Sequence, residues 1–193
     1  MKRLLAMALL CLAVCLSARA QNNVAIKTNV LSDAFMNINL GMEVGLAPRW
    51  TLDVGGQLND WVLSHGRRWK HWGVQPEARY WFCDRFAGHF LGFHAFTGQY
   101  NIGGIGKNFT FLGTDYGATI HHRYQGIFVG AGVAYGYAYA LGKHWNLEAE
   151  LGIGYAYLTY DKFACTGCGA LEGSGHHNYF GLTKAAVSIV YLF

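Results

Sequence analysis

The sequence predicts an all-β fold: an eight-stranded antiparallel up-and-down transmembrane β-barrel, a single domain behind a signal peptide. Three observations carry that expectation. Only 13% of the 193 residues are charged while 52% are hydrophobic, whereas a soluble domain carries about 25% charge. Large apolar side chains alternate with small or polar ones over runs longer than the roughly five or six residues of a usual soluble strand. Short turns alternate with longer polar loops, the layout of barrels that cross an outer membrane.

Composition narrows the class further. Aromatic residues make up 16% of the chain, which excludes a disordered protein. With 26 Gly and 2 Pro the chain is neither collagen-like nor a proline linker. The net charge of +4 is concentrated in Lys2, Arg3 and Arg19, where no acid offsets them; the other 12 bases nearly balance 11 acids. No basic stripe remains to bind phosphate backbones, so nucleic acid is not an expected partner.

Met1 to Ala20 reads as a secretory signal, with Lys2 and Arg3 before the apolar run Leu4 to Leu16 and Ala18-Arg19-Ala20 as the cleavage site. That run is short for a membrane anchor. Cys11 and Cys15 follow Leu10 and Val14, where a lipoprotein signal wants a small residue. The mature domain is expected to span 21–193, exported to the outer membrane of a Gram-negative bacterium.

Eight runs follow: Val24 to Leu31, Asn37 to Ala47, Thr51 to Asp60, Trp69 to Cys83, His89 to Gly103, Tyr124 to Leu141, Trp145 to Tyr160 and Asn178 to Phe193. In the second, Ile38, Leu40, Met42, Val44 and Leu46 oppose Asn39, Gly41, Glu43 and Gly45. In the third, Leu52, Val54 and Leu58 oppose Asp53, Gln57 and Asn59. The fourth contains Pro76, which lacks a donor and predicts a bulge or bend. In the fifth, His94 shares a set with Phe90, Phe96 and Tyr100 and is assigned inward. The sixth is uncharged from Tyr124 to Gly142 and long enough to score as a spanning helix. Its period of two, Ile127, Val129, Ala131, Val133, Tyr135 and onward, contradicts that. In the seventh, Leu147, Ala149, Leu151, Ile153 and Tyr155 oppose Glu148, Glu150, Gly152 and Gly154. The eighth places Val187, Ile189, Tyr191 and Phe193 on one face, resembling the carboxyl-terminal signal read by the barrel-assembly machinery.

Ala47 to Trp50, Asp84 to Gly88 and Gly142 to His144 are tight turns, and Ser32 to Met36 is short as well. Trp61 to Arg68, Gly104 to Arg123 and Asp161 to His177 are the longer loops. Trp50 and Trp145 lie beside tight turns, and Trp61 and Trp69 at the long-loop end, as two aromatic girdles would. Closure has a physical reason, since hydrocarbon offers no partner for the unpaired N–H and C=O groups of an open edge.

With apolar faces toward lipid, the lumen collects Lys27, Glu43, Asp53, Glu77, Arg79, Glu148, Glu150 and Lys184. Charges kept from water need partners, so these predict a polar network plugging a narrow lumen, its excess of acid offset by a proton or trapped water. Proton or cation passage is the functional alternative. Gly130, Gly132, Gly152 and Gly154 read as small lumen residues.

Ile26-Lys27-Thr28-Asn29, Gln75-Pro76-Glu77-Ala78-Arg79-Tyr80-Trp81 and Gly98-Gln99-Tyr100-Asn101, with Gly88-His89-Phe90 between them, resemble an uncharacterised Bacteroidota family, domain of unknown function 3575. The resemblance covers nearly the whole mature chain. It implies a small outer-membrane barrel, some members of the family being encoded beside surface-fimbria components, and it supplies no catalytic residues.

Candidate chemistry is sparse. Cys165 and Cys168, with His176 and His177 nearby, have the spacing of a zinc site, although in an exported protein a short-range disulfide is the plainer reading. Cys83 is then left over as a reduced thiol. His65, His71, His121, His122, His176 and His177 lie on the long-loop side, where they would bind metal or haem, sense pH, or simply be solvated. Ser64 with His65 and Ser174 with His176 offer groups for a lipid-modifying enzyme, but no Gly-x-Ser-x-Gly elbow occurs. Gly103 to Lys107 lacks P-loop spacing. A secreted soluble barrel carrying an apolar ligand would reverse the facing, burying Tyr135, Ile153 and Ile189 and exposing Glu148 and Glu150. The expected role is structural or adhesive, through the long loops. Its expected partners are outer-membrane lipid, the assembly machinery and surface-appendage or host-surface components, with no cofactor and no enzymatic activity.

Overall fold

The computed structural model describes residues 23–62, 68–104, 110–111, 114–115, 122–165 and 169–193. The expected signal segment lies outside them. Eight strands make one sheet: β1 (Val24–Asn29), β2 (Ile38–Ala47), β3 (Trp50–Val62), β4 (Arg68–Trp81), β5 (Gly88–Gly103), β6 (Arg123–Ala140), β7 (Trp145–Phe163) and β8 (Leu171–Leu192). A five-residue helix, α1 (Val30–Ala34), joins β1 to β2, and a two-residue ladder pairs Thr110–Phe111 with Thr114–Asp115 between β5 and β6.

Each strand pairs antiparallel with its sequence neighbours, and β8 also pairs with β1, so the sheet closes on itself. Following the registers once around returns to β1 displaced by about ten residues, a stagger that tilts the strands by about 40°.

The alternation read from the sequence decides the facing. Tyr135, Ile153 and Ile189 are 52%, 54% and 41% exposed on the outer wall, while Glu148 and Glu150 are each 3% exposed inside. The reversed facing that a soluble carrier needs is therefore not the facing of this wall.

Several elements differ from expectation. Asp161 to His177 is mostly strand, because β7 runs to Phe163 and β8 begins at Leu171, with Ser174 opposite Asp161 and His176 opposite Thr159. Pro76 causes no bulge. Its ladder with β3 is continuous, and toward β5 pairs are missing only between Val74↔Thr97 and Glu77↔His94, with no register slip; the absent N–H removes a bond there without adding a residue. The irregularities lie instead between Gly45 and Ala47, between Leu171 and Gly173, and at Thr183. Trp61 and Trp69 pair with each other on the inward parity of β3 and β4. The outward tryptophan at that end is Trp72, 44% exposed.

The apolar-out rule also fails at the tight-turn end of the lumen, where Trp81 and Phe90 are fully buried inside the barrel, 4.7 Å apart between ring centroids. Phe86, in the β4–β5 turn, has φ 64° and is buried with Ala25, Val190 and Leu192. A left-handed φ costs a non-glycine residue about 1–2 kcal/mol, which burial of the ring, about 1.5–3 kcal/mol, offsets. The aromatic layer closes that end.

The opposite rim is uneven. β1 ends at Asn29, opposite Ser188, whereas β8 continues seventeen residues further to Leu171. In that gap stands α1, which contacts β8 and buries none of its own residues. The Asn29 side chain accepts from Leu31 N (3.1 Å), capping α1, accepts from Val187 N (3.1 Å), and donates to Ala185 O (3.3 Å). Side-chain bonds thus stand where the β1–β8 ladder stops.

Candidate functional site

The eight lumen charges named from the sequence meet in one buried cluster. Each lies on an inward position of its strand: Lys27 on β1, Glu43 on β2, Asp53 on β3, Glu77 and Arg79 on β4, Glu148 and Glu150 on β7, Lys184 on β8. Arg79 is the hub. Its Nε donates to Glu77 Oε1 (2.6 Å), Nη1 to Glu43 Oε2 (2.8 Å) and Glu148 Oε1 (2.9 Å), and Nη2 to Glu150 Oε2 (2.7 Å), with Asp53 Oδ2 3.2 Å away. A planar fork of five N–H groups suits a ring of carboxylates as an ammonium would not.

Two lysines complete the cluster. Lys27 bonds Glu43 and lies 3.5 Å from both Asp53 and Glu148, and Lys184 reaches Glu77 (2.8 Å) and Glu150 (3.1 Å). Below, Thr51 donates to Glu43 and accepts from Trp81 Nε1 (2.9 Å), and the Arg79 guanidinium lies 4.5 Å from the Phe90 ring centroid. Three cations thus face five carboxylates.

Sequence reasoning placed His94 inward without giving it a partner. It is 3% exposed, its Nδ1 is 3.4 Å from Glu77 Oε2, and its Nε2 is 2.9 Å from Thr183 Oγ1. Thr183 is the extra residue of the β8 irregularity, which turns its hydroxyl toward the ring. Gly152 makes room: a Cβ there would sit 2.9 Å from His94 Cε1 and 3.1 Å from Lys184 Cβ. The Glu77↔His94 cross-strand pairing, not visible in either strand alone, was the missing signal.

Above the cluster the lumen is hollow. A chamber of about 370 Å³ has Lys27, Asp53, Arg79, Glu150 and Lys184 at its floor and Phe96, Phe128, Leu158, Tyr179 and Leu182 among its walls. The charge cluster and the aromatic layer thus fill the lumen toward the tight-turn end, and the chamber lies above them. Among the described residues, Asp53 Oδ1 and Glu150 Oε1 are buried without a hydrogen-bond partner, and both residues line the chamber.

The outer candidates do not converge in this way. His176 stacks on Tyr157 on the outer wall, at 5.7 Å between centroids; Ser174 donates to Asp161; His122 lies 3.4 Å from Glu172. Among the described residues no group of three His, Cys, Asp or Glu is arranged to hold a metal. Ser64, His65, His121 and Cys168 lie outside the described residues, and with them the Cys165–Cys168 and Ser64–His65 pairings. Cys83 is exposed as a free thiol beside the β4–β5 turn. At the rim Lys162 bonds Glu172 at 3.0 Å, and this bond holds the Glu172 carboxyl below its ordinary range.

The sequence profile of the family described as protein of unknown function (DUF3575) matches residues 6–193. The chain belongs to the DUF3575 family. No curated protein and no solved structure matches it significantly.

Proposed function

We propose that this DUF3575 protein is a small outer-membrane β-barrel, closed at its tight-turn end, whose role is structural or surface-interacting and is carried by the long-loop side. The observation that carries the reading is the two-faced wall, apolar outside and charged inside. On β7 the outward row runs from Trp145 to Tyr157, a stretch of thirteen residues, with Thr159 and Asp161 beyond it. That row spans about 40 Å of strand and about 30 Å along the barrel axis, close to the apolar band of about 25 Å that such barrels present to lipid. No helix among the described residues is long and apolar enough to cross a membrane, so strands would do the crossing.

The outward row Val187, Ile189, Tyr191 and Phe193 of the last strand supports recognition by the assembly machinery. Surface partners would meet the rim built from the ends of β6, β7 and β8 and the loops beside it. The test is fractionation followed by electrophoresis with and without boiling. The expected result is a detergent-extracted outer-membrane protein whose mobility shifts on heating. Recovery in the soluble fraction without detergent overturns the reading. Affinity capture from native outer membranes, using rim-deleted protein as control, tests the surface-interaction half.

A further inference from the structure

We propose that Thr183, His94 and Glu77 form a nucleophile, a base and a positioning carboxylate that cleave carboxylic esters inside the luminal chamber. This adds an activity to the role proposed above and does not depend on where the barrel resides.

The order of the three side chains carries the inference. Thr183 Oγ1 lies 2.9 Å from His94 Nε2, and the other ring nitrogen, Nδ1, lies 3.4 Å from Glu77 Oε2. With the ring proton on Nδ1, toward the carboxylate, Nε2 is the acceptor that the Thr183 hydroxyl needs. A hydroxyl, an imidazole and an acid in that order are the working parts of a nucleophilic hydrolase, whatever the fold and whatever the chain order. The longer second contact is within the looseness that such sets show before substrate binds. Burial is graded in the same order. Glu77 and His94 are 1% and 3% exposed, while Thr183 is half-buried and lines the chamber.

Two features of the wall accommodate the pair. Thr183 is the extra residue between Leu182 and Lys184, and an inserted residue of this kind re-aims a side chain out of the regular alternation. Gly132 leaves room at the contact itself, since a Cβ there would lie 2.6 Å from His94 Nε2 and 2.9 Å from Thr183 Oγ1. Phe96, Phe128 and Leu158 give the chamber apolar walls for an acyl chain, and about 370 Å³ is within the range of small-ligand sites.

The reaction balances with water as co-reactant. Thr183 Oγ1 attacks the ester carbonyl carbon while His94 Nε2 takes the hydroxyl proton; the bond from the acyl carbon to the alkoxy oxygen breaks, and that proton passes to the departing alcohol. Water then attacks the acyl-threonine, His94 takes its proton and returns it to Thr183 Oγ1, and the carboxylic acid leaves. Glu77 touches no reacting atom and holds the imidazole in the required tautomer and orientation.

The experiment uses purified full-length protein in detergent micelles, with p-nitrophenyl butyrate as substrate and a fluorophosphonate as covalent probe, its site located by mass spectrometry. The unaltered protein should hydrolyse the ester with saturation and carry the phosphonate on Thr183. Thr183→Val, which keeps the shape and removes the hydroxyl, and His94→Gln should each lower the rate about 100-fold or more and lose the adduct. Tryptophan fluorescence should show both variants folded, and Thr183→Ser should keep rate and adduct. Glu77→Gln should lower kcat at least about tenfold at unchanged KM. The adduct is read on the unaltered protein, so it needs no variant to fold, and its absence from Thr183 overturns the site. Hydrolysis by Thr183→Val at the unaltered rate overturns it equally, and a kcat that Glu77→Gln leaves unchanged overturns the role given to Glu77.

Discussion

Arg79→Gln is the sharpest test of the lumen. Arg79 is 1% exposed and lies within 3.2 Å of five carboxylates. Removing it leaves two lysines facing five carboxylates. Each carboxylate keeps one ammonium neighbour, Lys27 for Glu43, Asp53 and Glu148, and Lys184 for Glu77 and Glu150. The loss should therefore resemble breaking a single buried ion pair, about 3–5 kcal/mol, a large share of a typical stability of about 5–15 kcal/mol. With a urea dependence of about 2 kcal/mol per molar, the unfolding midpoint in lipid vesicles falls by roughly 1.5–2.5 M. Tryptophan fluorescence and heat-shifted mobility both follow the transition. Arg79→Gln/Glu148→Gln should recover part of the loss, with a coupling of at least about 1 kcal/mol. A midpoint shift equivalent to less than about 1 kcal/mol, or strict additivity in the double variant, would show that these groups are solvated separately and refute the argument.

Three further outcomes are expected. Phe90→Ala removes a fully buried ring from the closed end and should lower stability by about 3–5 kcal/mol in the same urea assay. With Cys165 and Cys168 changed to Ser, a membrane-impermeant maleimide should label Cys83 in permeabilised cells but not in intact ones, since Cys83 lies at the tight-turn end; labelling in intact cells would invert the orientation. The Lys162–Glu172 bond lowers the Glu172 carboxyl, so its contribution is present above the ordinary glutamate value, near pH 4.3, and fades as pH falls through the lowered one. Hydrogen exchange at the β7–β8 tip, corrected for intrinsic rate, should show that loss of protection, and Lys162→Gln should remove it.

The period-two rows were legible because lipid-like and lumen-like environments differ on alternate residues, and Ile127 to Leu141 shows this with no charge at all. Legibility failed where that contrast fails. Asp161, Ser174 and His176 extend β7 and β8 above the apolar belt, where an outward strand residue is polar and reads as loop. Trp81 and Phe90 point inward because at the closed end they pack against each other and Trp81 against Phe86. Of the site, the eight charges could be collected by parity, but their arrangement around Arg79 could not. Parity gives a face, whereas the ring of carboxylates depends on which residues stand at the same height, and that is set by a stagger of about ten residues that no single strand encodes. Thr183 is hidden for the same reason, since an irregularity appears only against a partner.

The slanted rim has a consequence for crowding. From Ser188 to Leu171 the last strand climbs roughly 35 Å along the barrel axis on one side of the mouth, while next to it, where β1 has ended, the lip is a single turn of helix. Neighbouring molecules approaching over the tall flank meet a hydrogen-bonded screen, and those approaching over the low flank meet almost none. Packed among other proteins, such a body has a preferred compass bearing, and mixtures of barrels would settle around it asymmetrically.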